Sequence, residues 1–166
     1  EVPGRQGRGH ESIPTYRSFT CANDTELVIC ANTERMWEGL CAVLDIENLT
    51  KDARFLTNED RHRNREELWP FLEGAFVDKE AKEWVPSLLA AGVPVGEVNT
   101  LADALTDPQV VHRQMVLNLE GGGQKRASVA GNPIKFMGEN EAPHRYPPAL
   151  GQHSREVFTK FLGLSE

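Results

Sequence analysis

The chain has 166 residues, of which 39% are apolar and 26% charged, the balance of a globular domain that can build a core of its own. No apolar run approaches the ~20 residues a membrane span needs, and a net charge of −7 without a basic stripe argues against nucleic-acid binding. The chain opens on Glu1 rather than Met, with no signal-peptide core behind it, so it is expected to be a piece of a longer protein.

The opening stretch, Gly4 to Ser12, is a glycine-rich loop with Gly4, Gly7 and Gly9 free to take positive φ or to approach a ligand closely. No turn chemistry in it selects one conformation, so it is expected to move, as a lid tethered to a strand. A β-branched and aromatic run, Thr15 to Cys21, and an apolar run, Leu27 to Ala31, flank a two-residue turn at Asn23-Asp24. They predict a hairpin with Cys21 opposite Glu26. Tyr16 reads as a strand residue packed on the core.

Thr33 is placed to cap a helix that buries Met36, Trp37, Leu40, Val43 and Leu44. Asp45 to Asp52 reads as a loop with a short helical turn. Thr57 and Asp60 form a capping-box signal for a long helix with Leu68, Phe71, Leu72, Ala75 and Phe76 inward. A third helix should start near Asp78, bury Trp84, Leu88 and Leu89, and stop at Gly92. Pro70 and Pro86 fall inside these helices and are expected to kink them. Gly92 to Val98 reads as an extended connector. Thr100 with Asp103, and then Asp107-Pro108, open two short helices. Met115–Leu119 and Arg126–Ala130, joined through Gly121-Gly122-Gly123, predict a second hairpin. A proline-rich arm from Gly138 to Pro148 leads to a last amphipathic helix capped by Ser154, with Val157, Phe158, Phe161 and Leu162 on one face. The class is therefore α+β: an N-terminal β-hairpin, several helices and a second hairpin, then an extended arm and a C-terminal helix.

Three cysteines, Cys21, Cys30 and Cys41, are odd in number and spaced too widely for a zinc knuckle, so free buried thiols in a reducing compartment are expected. The histidines, His10, His62, His112, His144 and His153, share no ligand spacing, and no metal site is predicted. The R-H-R-N-R run, Arg61 to Arg65, is interspersed with acids and reads as a solvated helix face. Trp37, Trp69 and Trp84 read as core. Gly121-Gly122-Gly123 reads as a turn, since no helix start follows it to make a phosphate cradle.

Several strings in order resemble one family. They are G-H-E-S-I-P-T-Y-R-S-F, N-D-T-E-L-V-I-C-A-N-T-E-R-M-W, D-A-R-F-L-T-N with R-x-x-N-R, A-G-V-P, D-P-Q, G-N-P and P-P-A-L-G-Q-H-S-R-E-V-F. Together they are similar to the small domain of class III CoA-transferases, the formyl-CoA and carnitine CoA-transferase group, and the resemblance runs from Gly7 to Leu164.

The resemblance implies a glycine-rich loop and linker at 1–14, a small domain at 15–137, and at 138–166 a linker and helix returning to a large domain outside this chain. It implies an enzyme that moves CoA between an acyl-CoA thioester and a carboxylic acid. An aspartate of the large domain attacks the thioester to give a mixed anhydride and then an aspartyl-CoA thioester. No aspartate of this chain is assigned that role, so no catalytic residue is named and the piece alone is expected to be inactive. No cofactor is implied, the coenzyme A thioester being substrate. The implied partners are acyl-CoA, a carboxylic acid and a second subunit in an interlocked homodimer, with no nucleic acid or membrane, in the cytoplasm. Gly7, Gly9, His10, Glu11 and Ser12 are the loop residues expected near the acyl group. This loop departs from an all-glycine pattern by carrying His10 and Glu11, which read either as solvated surface groups, the commoner case, or as groups that meet the acyl carboxylate or thioester oxygen when the loop closes. A 2-methylacyl-CoA racemase of the same superfamily is the alternative. That relative resembles this chain less, because it carries a carboxylate where Thr33 stands and D-G-G-A-P where this chain has H-E-S-I-P. A free-standing, non-catalytic binding or assembly module is the reading from outside the enzyme class.

Overall fold

The computed structural model of the chain describes residues 4–5, 7–121, 125–138 and 143–164. It is α+β, and packing divides it into two units, Glu1–Val98 and Asn99–Glu166.

The first unit is built on a three-stranded antiparallel sheet in the order β1-β2-β3: Tyr16–Thr20, Glu26–Cys30 and Val95–Glu97. Phe19, Leu27 and Ile29 point inward, and Tyr16, Ser18 and Val28 alternate to the outer face. The register runs Tyr16↔Cys30 to Thr20↔Glu26, one residue away from the register expected with Cys21 opposite Glu26. The cause is the turn. It uses Ala22–Asp24, with Asn23 and Asp24 both at φ 55°, and Cys21 N–H donates to Thr25 across it at 2.7 Å. Asn and Asp tolerate that left-handed geometry better than other non-glycine residues. The expected connector at Gly92–Val98 instead supplies β3, whose Val95 pairs with Ile29.

Four helices cover the inner face: α1 (Glu34–Val43), α2 (Asn58–Arg63), α3 (Arg65–Phe76) and α4 (Ala81–Ala90). Local chemistry sets their starts. Thr33 accepts from Met36 N–H, Thr57 and Asp60 form the capping box, and Gly92 follows α4 at φ 78°. A short 3₁₀ turn, Glu47–Lys51, carries buried Leu49 between α1 and α2. The long helix expected after Thr57 is broken at Asn64, whose amide donates to the carbonyls of Arg54 and Asp60. The third helix begins at Ala81 rather than near Asp78, with Glu80 and Glu83 forming a reciprocal box. Pro70 and Pro86 lie inside continuous α3 and α4, and the carbonyls that lose a backbone donor to them belong to the exposed residues Glu66 and Lys82.

Leu68, Leu72 and Phe76 form the buried stripe of α3, and Trp84 and Leu88 that of α4. Phe71 and Leu89, expected inward, are 43% and 54% exposed, because each lies about 100° around its helix from that stripe. Phe76 sits at the centre of the core, 4.8 Å from the Phe19 ring and 5.8 Å, edge-on, from Trp84.

The second unit holds α5 (Leu101–Thr106), α6 (Pro108–His112) and a two-stranded hairpin of β4 (Val116–Gly121) and β5 (Lys125–Ala130). Thr100 caps α5, and Asp107 caps α6 with Pro108 in the first turn. Residues 122–124 lie outside the described residues, and with them most of the expected Gly121-Gly122-Gly123 turn. Gly131 is the one buried residue of this unit among those described, and a Cβ there would sit 2.3 Å from the Gln114 carbonyl oxygen. The terminal helix α7 (Ser154–Glu156) continues in wider π-type turns over Val157–Phe161. His153, not Ser154, occupies its cap position. Val157, Phe158, Phe161 and Leu162 are all exposed.

Candidate functional site

From Arg8 onward the glycine-rich loop is hydrogen-bonded to β1. Gly7 turns at φ 65°, and Arg8 to His10 then run antiparallel to β1. Ser18 N–H donates to the Arg8 carbonyl at 3.1 Å and His10 N–H to the Tyr16 carbonyl at 2.8 Å. The expectation that nothing selects one conformation therefore fails, because β1 offers the loop its free edge. Gly9 faces Arg17, whose Cβ would lie 3.2 Å from a Cβ at Gly9, so a side chain there would need Arg17 to give by a few tenths of an ångström.

Arg8 lies across the outer face of the sheet, donating to Ser18 Oγ, Thr20 Oγ1 and the Glu26 carboxylate. An open groove of about 470 Å³ lies along this face, lined by the loop backbone from Gly7 to His10, by Tyr16 and Ser18, and by Glu26 and Val28 of β2. Tyr16, expected in the core, is 38% exposed and stacks on His10, with ring centroids 5.4 Å apart and planes 9° apart. The Ser12 N–H donates to His10 Nδ1 at 3.2 Å, and Ser12 Oγ lies 3.4 Å from the same nitrogen. A nitrogen that accepts from an amide carries no proton, so the neutral ring is protonated on Nε2. Gly7, Gly9 and His10 thus reach the groove, whereas Glu11 and Ser12 lie on the turn beyond its lining.

That turn is held from the helices. His62 Nε2–H donates to the Glu11 carbonyl at 2.8 Å, Asn58 Nδ2 to Ser12 at 3.1 Å and Trp69 Nε1 to Pro14 at 3.0 Å. An Arg65 nitrogen 3.5 Å from His62 Nε2 competes poorly, since the closer carbonyl can only accept. Thr15 is fully buried, its hydroxyl donating to Ala31 at 2.6 Å. The sequence reading missed Asn58, His62 and Trp69 as loop contacts. The spacing of four between Asn58 and His62, which puts both donors on one face of α2, was a local signal, whereas Trp69 lies beyond the break at Asn64 on α3.

The R-H-R-N-R run is the expected solvated face at Arg63 and Arg65, with surface ion pairs to Glu59, Asp60 and Glu66, but not at Arg61. Arg61 is 2% exposed, paired through two nitrogens with Glu34 at 2.8 and 2.9 Å, bonded to the Phe55 carbonyl and laid over Trp37 at 5.0 Å. Hydrogen bonding from Arg61 holds the Glu34 carboxyl below its ordinary value, aided by the backbone N–H of Asn58. Trp69, expected in the core, is half-buried and carries the Arg17 guanidinium 4.3 Å above its ring, while Arg17 also pairs with Glu73.

The three thiols are unpaired with one another. Burial pushes Cys41 up to about 12, and burial with the charge of Glu26 pushes Cys21 up to about 11, which makes both poor nucleophiles. Among the described residues no group of three or more His, Cys, Asp or Glu is arranged to hold a metal ion, and no helix is long and apolar enough to cross a membrane. A second depression of about 470 Å³ lies over β4 and β5 near Asn118, Glu120 and Arg126, without an imidazole or thiol in its lining. Chemistry rather than volume therefore selects the loop groove. It offers an Nε2–H donor and free space beside a sheet, which can bind an oxygen but cannot attack a carbonyl carbon.

The profile of CoA-transferase family III matches residues 1–154. The mouse succinyl-CoA:glutarate CoA-transferase is 30% identical over 98% of this chain, and acetyl-CoA:oxalate CoA-transferase of Acetobacter aceti is 34% identical over 90%. The chain spans 37% and 36% of those proteins. Among solved structures, a CAIB/BAIF family protein from Brucella suis matches with a TM-score of 0.81 and 28% identity, over 96% of this chain and 41% of that one. Rv3272 from M. tuberculosis matches with a TM-score of 0.72 and 28% identity, over 83% of this chain and 38% of that one. With most of its length matched by the family profile, the chain belongs to CoA-transferase family III.

Proposed function

We propose that this chain is the loop-bearing portion of an enzyme that moves CoA from an acyl-CoA thioester to a carboxylic acid. The observation that carries the reading is the loop: in a family III chain, Gly7 to His10 form one wall of a groove that the His10 imidazole lines. Residues 15–137 then serve as the small domain and 138–166 as the arm and helix that meet a large domain, a functional partition whose small domain runs across the packing division at Val98.

The nucleophile belongs to that large domain. An aspartate oxygen attacks the thioester carbonyl, CoA thiolate leaves, and a mixed anhydride forms. Thiolate then attacks the aspartyl carbonyl, releasing the donor acid and leaving an aspartyl-CoA thioester, from which the acceptor carboxylate takes CoA by the same two steps in reverse. Each step gathers negative charge on a carbonyl oxygen, and His10 is suited to donate to it. Glu11 and Ser12, on the turn beyond, contribute only if the loop shifts as it closes.

Thr33 favours transfer over racemisation. Its hydroxyl caps α1 by accepting from Met36 N–H, so no carboxylate occupies the position that the racemase relative requires. The relatives' names give the substrate class to try first, with succinyl-CoA or acetyl-CoA as donor and a dicarboxylic acid as acceptor. The test is to incubate the full-length protein with succinyl-CoA and a panel of mono- and dicarboxylic acids and to follow CoA esters by mass spectrometry. Formation of an acceptor-CoA ester is expected, while the 166-residue chain alone gives none. Failure of the full-length protein with every donor and acceptor would overturn the reading.

A further inference from the structure

The loop carbonyls are shared between two sets of donors. Those of Arg8, Ile13 and Thr15 accept from backbone N–H groups of the hairpin, whereas those of Glu11, Ser12 and Pro14 accept from His62, Asn58 and Trp69. The second set comes from a rigid platform. Asn58 is the first residue of α2, the Thr57–Asp60 capping box closes that turn, and Arg61 bolts the helix to Glu34 and to the Phe55 carbonyl.

A two-bond relay also runs from this platform to the groove: Asn58 Nδ2 holds the Ser12 carbonyl, and the Ser12 N–H holds His10 Nδ1. The first bond places the peptide, and the second sets which imidazole nitrogen keeps the proton. We propose that Asn58, His62 and Trp69 are positioning residues that fix the base of the loop, residues 11–15, and confine its movement to Gly7–His10. The inference rests on the reading of that loop as the lid of a CoA-transferase. None of the three reaches the groove lining, so they act through the loop backbone.

Four variants of the full-length enzyme test this. Asn58→Asp replaces the donor by an acceptor facing the Ser12 carbonyl and keeps an acid welcome in a first helical turn. His62→Phe removes a donor, His62→Gln restores one, and Trp69→Phe keeps a ring under Arg17 without the N–H. Limited trypsin digestion reads loop opening as cleavage after Arg8, detected by the new N-terminus at Gly9. Loss of one such hydrogen bond is worth roughly tenfold in an opening equilibrium. Asn58→Asp and His62→Phe should therefore be cut after Arg8 about tenfold faster than wild type. Their kcat should fall by about tenfold or more, because misplacement of a reacting group by an ångström is that damaging. KM should change far less, and His62→Gln should recover most of both losses. Trp69→Phe should show the smaller change of the same kind, since Pro14 lies farthest from the groove. Unchanged cleavage after Arg8 in Asn58→Asp and His62→Phe would overturn the anchoring. Faster cleavage with unaltered kcat would overturn the link to catalysis. If wild-type enzyme transfers no CoA, the functional reading falls by itself, and cleavage after Arg8 still decides whether these side chains hold the loop.

Discussion

Arg61 shows what a single residue does when its partners are far away in sequence. Its neighbours Arg63 and Arg65 make exposed ion pairs with Glu59, Asp60 and Glu66, the weak surface kind. Arg61 instead turns inward onto Trp37 and meets Glu34, whose side chain stays 56% exposed. Hydrogen bonding from Arg61 lowers the folded-state pKa of Glu34 from its ordinary 4.5. The stabilisation is therefore fully present above that unfolded-state value and is lost as pH falls through the lowered folded-state one. Glu34→Gln should melt lower than wild type at neutral pH, and the two melting temperatures should converge below about pH 4. Melting curves from about pH 7 to about pH 3 check this, and a gap that stays constant with pH would show that Glu34 acts by shape alone. None of this was legible in the sequence. A basic residue among acids reads as solvated unless its fold partner is known, and Glu34 lies 27 residues upstream.

At the scale of elements, the aromatic cluster of Phe19, Phe76 and Trp84 ties β1, α3 and α4 together. Phe76 is fully buried, so Phe76→Ala should destabilise the chain by about 3–5 kcal/mol through lost burial and the cavity left behind. Phe71 makes one edge-on contact with Phe55 from a mostly exposed site, and Phe71→Ala should cost roughly 1 kcal/mol. Urea denaturation of the two variants should separate them clearly, and equal losses would mean that α3 presents a different face. Elements fixed by local chemistry were the legible ones. Thr33, Thr57 with Asp60, Thr100 with Asp103 and Asp107-Pro108 each announce a helix start by a side chain that bonds the backbone two or three residues on. What local rules could not supply was pairing at a distance. Val95–Glu97 has no strand signature of its own and becomes β3 because β2 exposes an edge to it. The hairpin register slipped by one residue because the left-handed pair Asn23 and Asp24 sits within a three-residue turn.

For the molecule as a whole, burial is confined to one side of Val98. Every buried apolar side chain described lies between Pro14 and Val93, whereas in the second unit Gly131 alone is buried among the described residues. Nothing in the sequence marks this boundary. Leu101 and Leu105 carry the same helical spacing as buried residues upstream, yet both are exposed. The loop residues were legible from composition and family strings, but their anchors were not, being 46 to 55 residues away in the chain. The asymmetry of burial leads to a test. A piece ending at Val98 keeps the whole core, the three-stranded sheet and the loop with its anchors. It should unfold in a single cooperative transition, with a melting temperature within about 5 °C of the 166-residue chain. The piece from Asn99 onward has a two-stranded hairpin, short helices and an exposed apolar stretch at Val157–Leu162. Two strands without a buried face are marginal in water, and backbone ordering costs about 1–2 kcal/mol per residue with no apolar burial to offset it. By circular dichroism it should melt without a cooperative transition. A cooperative transition in that second piece, or its absence in the first, would show that the stability of the chain is not centred on the sheet that carries the loop.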